Sequence, residues 1–261
     1  MDGERRPAWK RRACRRRCLL GLRRFTPARI ALGRSGTGQP TVASLRFMMD
    51  HARARDAVHT ALDFDAMARS LRSLDWRVVQ VRSAAKDRAE YLRRPDLGRR
   101  LSAGNSRNLD GIARGADVAV VAADGLSASA IASNLLPVLD RLRSAMLARG
   151  RMIATLVLVE QGRVAIGDEI GELLDAKLVV VLIGERPGLS ADNSLSAYIT
   201  WLPRVGTMDS SRNCISNIRP AGLSPEDAAV RIADVIDAAF ANSVTGIRTN
   251  TFAVSRPSLR S

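Results

Sequence analysis

Histidine, cysteine, aromatic residues and long apolar runs are all scarce in this 261-residue sequence. With two histidines and three cysteines, neither a histidine-rich metal site nor a disulfide framework is expected, and a reducing, cytosolic setting fits best. Aromatic residues make up 4% of the chain, which leaves little material for stacking on nucleic-acid bases. No apolar run approaches the length of a membrane span, although 46% of the residues are hydrophobic. These features predict a soluble globular protein with one sizeable domain or two small ones.

Positive charge, by contrast, is abundant and unevenly distributed. The formal net charge is +15, but residues 1–26 hold ten Arg or Lys residues against two acids and so contribute +8 of it. In the remainder, arginines are mixed with acids as on an ordinary solvated surface. Residues 1–26 are therefore predicted to be a disordered basic tail rather than a secretory signal, because their apolar stretch is too short. This tail leaves a nucleic-acid-binding protein open as an alternative function.

Hydrophobic periodicity divides the rest of the chain in two, followed by a loose tail over 246–261. Residues 27–110 are predicted to be mostly helical, with helices over 41–62, 64–74 and 86–92 and a short strand over 76–82. Residues 111–245 alternate between strands, over 117–124, 153–159, 178–183 and 197–202, and helices, over 127–149, 166–174 and 225–242. This alternation predicts an α/β fold, a Rossmann-like parallel sheet with helices on both faces, preceded by the mostly helical N-terminal region.

Three of the predicted strands end in loops that contain glycine, at residues 124–127, 161–164 and 184–188. Because the carboxyl ends of parallel strands meet at one edge of a sheet, these loops should line a crevice. Glycine there permits close backbone approach, but it is also common in tight turns, so the spacing alone leaves ligand binding open. The sequence has no P-loop, no GxGxxG after a strand and no GxSxG, which excludes the familiar nucleotide sites and the nucleophile elbow.

The histidines, and the one cysteine beyond the basic tail, are expected to be structural. His51 and His59 are eight residues apart on a predicted helix, too far for an i, i+4 metal-binding pair, so each should be packed or exposed. Cys214 lies in a mixed segment with no histidine nearby to activate it. We therefore expect a small packed hydrophobe rather than a nucleophile.

Several strings, taken together, resemble the small (light) chain of ethanolamine ammonia-lyase. They occur in that family's order between about residues 26 and 248. They are GRVAIGDEIGELL at 162–174, VLIGERPGL at 181–189 and NCISNI at 213–218, together with 26–30, 50–58, 91–101 and 124–127.

The resemblance implies an adenosylcobalamin-dependent lyase that converts ethanolamine to acetaldehyde and ammonia by a radical mechanism. In that family the small chain forms a hetero-oligomer with a larger barrel chain, and the cofactor lies between the two chains. The resemblance places the catalytic residues on the large chain and none on this one. It is also compatible with a cytoplasmic enzyme packaged in a protein-shelled bacterial microcompartment, as some relatives are.

Three positions match the family's cobalamin contacts, namely Val164, Glu185 and Cys214. By the resemblance, Val164 offers backbone polar groups and a small apolar face, Glu185 a hydrogen-bond acceptor, and Cys214 a packing contact. Further candidates for the rim are Asp124, Arg186 and Asn217. The resemblance also implies that the cobalt keeps its own dimethylbenzimidazole base and takes no ligand from this chain, and the absence of histidine after residue 59 agrees with that. A stand-alone corrinoid carrier is an alternative function.

Overall fold

The computed structural model describes residues 20–26 and 28–248. Most of the predicted basic tail, and most of the predicted loose tail at the other end, therefore lie outside the described residues. Contacts divide the described residues into two compact units, one of those up to residue 55 with 188–191, the other of 56–187 with those from residue 192 onward. No helix in the described ranges is long and apolar enough to cross a membrane.

Helices and strands alternate along most of the chain. The α-helices are α1 (Thr41–His59), α2 (Phe64–Arg72), α3 (Arg88–Arg93), α4 (Ala128–Ala148), α5 (Ile166–Leu173) and α6 (Pro225–Asn242). The strands are β1 (Val78–Arg82), β2 (Val118–Ala123), β3 (Ile153–Glu160), β4 (Leu178–Gly184), β5 (Leu195–Trp201) and β6 (Arg212–Ile218). Short 3-10 helices occur at Leu22–Arg24, Leu97–Arg99, Asn105–Leu109, Asp209–Ser211 and Gly246–Arg248.

The strands form one sheet in the order β1-β3-β2-β4-β5-β6. The first four of these are parallel to one another. The sequence predicted this arrangement for β2, β3 and β4, whereas β1 was predicted only as a short strand of the mostly helical N-terminal region. Strand β5 is antiparallel to β4, and β6 is antiparallel to β5, so the sheet is mixed. The strand predicted over 197–202 exists as β5 but runs against β4, and β6 was not predicted as a strand. The α/β class is confirmed.

The core lies on both faces of the sheet. Alternate residues of β2 point to opposite faces, Val118, Val120 and Ala122 to one and Ala119, Val121 and Ala123 to the other, and all are buried. The first face is covered by α2, α4 and α6, and the second by α5 and the segment 101–112. Burial on both faces explains why β2 and β4 are continuous apolar runs rather than alternating ones.

Serine hydroxyls fix two of the helix starts. Ser224 caps α6 by accepting from the Asp227 amide (3.1 Å), directly before Pro225. Ser127 caps α4 by accepting from the Ala130 amide (3.2 Å), and its hydroxyl also donates to the Asp192 carbonyl (2.7 Å). The start of α4 therefore also holds the end of the loop between β4 and β5.

Both histidines are exposed on α1, at positions 51 and 59. In the first unit, Arg29 forms an ion pair with Asp50 (2.5 Å) and stacks on the Phe47 ring, 5.6 Å from its centroid. The sequence predicted that each histidine would be either packed or exposed, and both are exposed.

Candidate functional site

A crevice opens at the carboxyl ends of the parallel strands. The loop after β2 leads to α4 on one face of the sheet, and the loop after the neighbouring strand β3 leads to α5 on the other face. Two adjacent loops that leave in opposite directions produce the kind of opening in which doubly wound α/β folds bind ligands.

Two adjoining clefts occupy this region. The first, the Glu185 cleft, has a volume of about 370 Å³, and its lining includes Gly125, Arg163, Val164, Gly184, Glu185 and Tyr198. The second, the Arg99 cleft, has a volume of about 720 Å³ and shares Arg163, Val164 and Tyr198 with the first. Together they form a concave surface continuous enough for a ligand larger than a simple metabolite.

Two glycines bring the ends of β2 and β4 into close contact at the floor of the Glu185 cleft. The Leu126 amide donates to the Gly184 carbonyl (3.0 Å), and Gly125 has a left-handed φ of 57°. A Cβ at Gly125 would collide with the Gly184 carbonyl, and a Cβ at Gly184 would collide with the Ser127 carbonyl. The glycines predicted to permit close backbone approach therefore do so against each other.

Glu185 is half-buried, and neighbouring serines hold its carboxylate in place. Ser194 donates to Oε2 (2.7 Å), Ser196 donates to Oε1, and the Glu185 amide donates to the Ser194 carbonyl (2.9 Å). Within the part of the chain that the structure describes, each oxygen thus has one side-chain donor and retains lone pairs for another. This arrangement suits a fixed hydrogen-bond acceptor better than a mobile acid or base.

Cys214 lies beside the same cluster, on the edge strand β6. It is paired in register with Tyr198 of β5, and the side chains of Tyr198 and Ser196 are close enough to the thiol to influence its pKa. Burial, followed by the charge of Glu185, raises the pKa of Cys214, so the thiol is protonated at neutral pH. Burial and the neighbouring Cys214 also raise the pKa of Tyr198 to about 12.

Neighbouring groups partly desolvate the Cys214 thiol, but the residue as a whole is exposed, so the expectation of a packed hydrophobe was wrong. The reason is that β6 is an edge strand of the sheet, of which only the two end residues are buried. A raised pKa makes the thiol less reactive as a nucleophile at neutral pH. That Cys214 is not a nucleophile stays a prediction.

Arg163 is supported from below by Tyr91, which is fully buried. The Tyr91 hydroxyl donates to the Gly162 carbonyl (3.0 Å), and the Arg163 guanidinium lies over the Tyr91 ring, 4.2 Å from its centroid. The Arg163 amide donates to the Gly98 carbonyl (2.7 Å). A Cβ at Gly98 would lie 2.8 Å from the Arg163 side chain and 2.9 Å from the Tyr91 ring, so glycine is needed there.

Asp124 lies behind the crevice rather than in its lining. Its carboxylate accepts from Arg88 (3.2 Å) and from the Gln161 amide (2.8 Å), which connects the ends of β2 and β3. Burial raises the pKa of Asp124 to about 6, although Arg88 opposes that rise. Gln161 adopts a left-handed φ of 57°, which is uncommon for a residue other than glycine and is found at many functional sites.

The structure groups most of the residues that the sequence indicated. Val164 and Glu185 line the same cleft, and Cys214 contacts Tyr198, which lines it as well. Of the rim candidates, Arg186 lines the cleft, Asp124 supports it from behind, and Asn217 lies on β6 outside the described lining. The sequence placed Arg163 in a crevice loop without singling it out, and it did not indicate four other residues that the geometry brings in, namely Tyr91, Ser194, Ser196 and Tyr198.

Comparison with known proteins identifies the family. Residues 17–249 match the family described as ethanolamine ammonia-lyase light chain. The chain belongs to this family. An ethanolamine ammonia-lyase small subunit from Pseudomonas syringae pv. tomato is 50% identical over 232 residues, which cover 87% of this chain and 81% of the relative.

Two further small subunits show the same level of similarity. One from Pseudomonas aeruginosa is 51% identical over 232 residues, covering 87% of this chain and 85% of the relative. One from Bradyrhizobium diazoefficiens is 50% identical over 234 residues, covering 89% of this chain and 90% of the relative. The ethanolamine ammonia-lyase light chain match includes every loop of the crevice, so the site described above lies wholly within the family's shared sequence.

Proposed function

We propose that this chain is the small subunit of an adenosylcobalamin-dependent ethanolamine ammonia-lyase, which forms part of the cobalamin site at the interface with a large catalytic subunit. The complex would convert ethanolamine to acetaldehyde and ammonia. One observation carries the proposal beyond family membership. Val164, Glu185 and Cys214, which come from separate parts of the sequence, lie around one crevice and share Tyr198 as a neighbour.

The polar groups around the crevice fit the periphery of a corrinoid, which carries amides that both donate and accept hydrogen bonds. Three buried side-chain atoms have no hydrogen-bond partner in the described part of the chain, the donors Arg88 Nη2 and Arg163 Nε and the acceptor Gln161 Oε1. Arg163 lines the crevice, and the other two residues hold its loops. A buried polar group without a partner is costly, so such groups are expected to meet a ligand or ordered water.

Each matched residue has a role that its surroundings support. Glu185 accepts a hydrogen bond from a cofactor amide or hydroxyl, with its carboxylate held by Ser194 and Ser196. Val164 presents a small apolar surface, partly buried at the start of α5. Cys214, protonated at neutral pH, contributes a polarizable packing surface.

When bound, adenosylcobalamin supplies the radical that starts the reaction. This chain would contribute binding and orientation of the cofactor. It would not replace the cofactor's own base as a cobalt ligand, because its sequence has no histidine from residue 60 onward. Ethanolamine and the reacting radical would be held by the large subunit. Packaging in a microcompartment belongs to the same proposal as a location for the assembled enzyme.

The proposal is tested by producing the chain with and without its large subunit and assaying acetaldehyde formation from ethanolamine. Activity is expected when both chains and adenosylcobalamin are present, and is expected to vanish when any one of them is omitted. A correctly assembled two-chain complex that stays inactive with the cofactor would contradict the proposal. Tight binding of a corrinoid by the isolated chain would instead support a stand-alone carrier.

A further inference from the structure

Arg163 stands at the boundary between the two clefts. It lines both of them, together with Val164 and Tyr198. A ligand that extends from one cleft into the other must therefore pass this side chain.

The guanidinium of Arg163 is held in place before any ligand binds. It stacks on the Tyr91 ring, Nη2 donates to the Tyr91 carbonyl (3.2 Å), and the backbone amide is fixed by the Gly98 carbonyl (2.7 Å). Since little side-chain freedom is left to lose, an anion that reaches this group would bind with a small entropic cost.

The charge of Arg163 is not neutralised by a carboxylate within the described residues. The same holds for Arg99, which is exposed in the lining of the Arg99 cleft. Two other arginines of this lining are paired, Arg100 with Glu169 (3.1 Å) and Arg212 with Asp168 (2.5 Å). The cleft therefore carries two uncompensated guanidinium groups, while its one acidic residue, Asp209, faces Arg212 (3.3 Å).

We infer that Arg163, assisted by Arg99, binds the phosphodiester group of the nucleotide loop of cobalamin. This inference rests on the proposed function and adds a recognition element to it. A phosphodiester is the anionic group of that cofactor, and a planar, pre-positioned guanidinium is the side chain best suited to it. In this arrangement the Glu185 cleft receives neutral, amide-bearing parts of the cofactor and the Arg99 cleft receives its charged arm.

The test compares two corrinoids that differ only by a phosphate, adenosylcobinamide and adenosylcobinamide phosphate, in equilibrium binding to the assembled two-chain complex. The wild-type complex is expected to prefer the phosphate form roughly ten- to a hundredfold, as for a hydrogen bond to a charged group. Arg163→Gln should reduce that preference to about threefold, the share left to Arg99, and should weaken binding of the phosphate form much more than binding of adenosylcobinamide, and Arg163→Lys should retain more of the preference.

Two further variants secure the interpretation. Arg93→Gln removes an exposed arginine outside both clefts and should change nothing. Arg99→Gln removes a solvent-exposed side chain, so the chain should still fold, and the phosphate preference should fall by about threefold, as for an exposed charge contact.

An unchanged phosphate preference in Arg163→Gln, or none in the wild type, would overturn the inference and leave the proposed function standing. Equal losses for both corrinoids would overturn it as well, since Arg163 would then act only as structural support. Failure of the wild-type complex to bind adenosylcobalamin at all would overturn the proposed function itself.

Discussion

The carboxylate of Glu185 is positioned by its neighbours rather than by a ligand. Ser194, which directly precedes β5, donates to one of its oxygens, and Ser196 within β5 donates to the other. Tyr198 follows two positions later on the same face of β5 and reaches Cys214 on the next strand. These side chains form a polar row that runs from the end of β4 across β5 to β6, so a change at Glu185 should alter the titration of Tyr198 and Cys214.

The first prediction concerns the reactivity of Cys214. The charge of Glu185 contributes to the raised pKa of this thiol, so Glu185→Gln should lower that pKa and speed alkylation by iodoacetamide at pH 8 several-fold. The rate is measured by mass spectrometry of the peptide that contains Cys214, which separates it from the two cysteines at positions 14 and 18. Glu226→Gln, on the first turn of α6, is the control and should leave the rate unchanged. Equal rates in the wild type and Glu185→Gln would contradict the cluster.

The second prediction concerns Asp124 and pH. Its pKa is about 6 in the folded protein against an ordinary value of 3.8, so between these values the folded state holds a proton that the unfolded chain has lost. The stability that this proton provides is complete below about pH 4 and is lost as the pH rises through 6. The unfolding free energy of the wild type relative to Asp124→Asn should therefore fall by up to roughly 3 kcal/mol between pH 4 and 7.

Denaturant titrations of both proteins across that range provide the measurement. Other titrating groups contribute equally to both proteins and cancel in the difference. A difference that stays constant, or that grows with pH, would show that Arg88 outweighs burial and that the pKa of Asp124 is not raised.

At the residue scale, the sequence identified the residues that match the family's cobalamin contacts but not the neighbouring side chains that hold them in place. Val164, Glu185 and Cys214 were predicted through the resemblance to a family. Tyr198 and Ser196 could have been noticed, because residues two apart on a strand share a face, but their face could be known only once β5 was placed beside β4.

Among the elements, the central strands were predictable and the edge was not. Strands β2 and β4 are continuous apolar runs because both of their faces are covered. Strand β6 has the sequence RNCISNI, with only its two ends buried, so its pattern resembles a loop. The antiparallel direction of β5 could not be predicted from the sequence either, because the length and composition of the loop after β4 do not specify where the chain turns back.

One buried ion pair connects the two elements that flank the candidate site. Arg212 at the start of β6 meets Asp168 of α5 through two bonds of 2.5 and 2.7 Å, and their side chains are 2% and 1% exposed. Arg212 also donates to the Thr200 hydroxyl (3.1 Å) and the Thr207 carbonyl (2.7 Å). The strand that carries Cys214 is thereby held against the helix that begins just after Val164.

The third prediction follows from this pair. Asp168→Asn leaves the buried Arg212 charge with only the exposed carboxylate of Asp209 as an ion-pair partner, so the unfolding free energy should drop by about 3–5 kcal/mol. The double variant Asp168→Leu/Arg212→Met should recover much of that loss, because no buried charge is left unpaired. Both are measured by denaturant unfolding.

An exposed pair supplies the control for that experiment. Arg94 and Asp96 are bonded at 2.7 Å on the surface, where water screens them, so Arg94→Gln should not move the unfolding midpoint measurably. An Asp168→Asn midpoint as high as that of Arg94→Gln would contradict a structural role for the buried pair.

At the scale of the whole molecule, the net charge favours one kind of partner and the shape of the surface favours another. The net charge of +15 favours a nucleic-acid partner, yet more than half of it lies in residues 1–26, and aromatic content is 4%. The concave surface instead lies at the carboxyl edge of the sheet, and both of its clefts are open to solvent. An open half-site of this kind fits a cofactor that is covered from the other side by a second chain.

The most direct test of this account is an equilibrium titration of adenosylcobalamin into the complex of this chain with its large subunit. Glu185→Ala is expected to raise the dissociation constant by about tenfold or more, because it removes a pre-positioned charged acceptor. Glu226→Ala, a surface acid on α6 far along the chain from every loop of the crevice, should leave the constant unchanged. Equal dissociation constants for the wild-type and Glu185→Ala complexes would contradict the claim that this chain forms part of the cobalamin site.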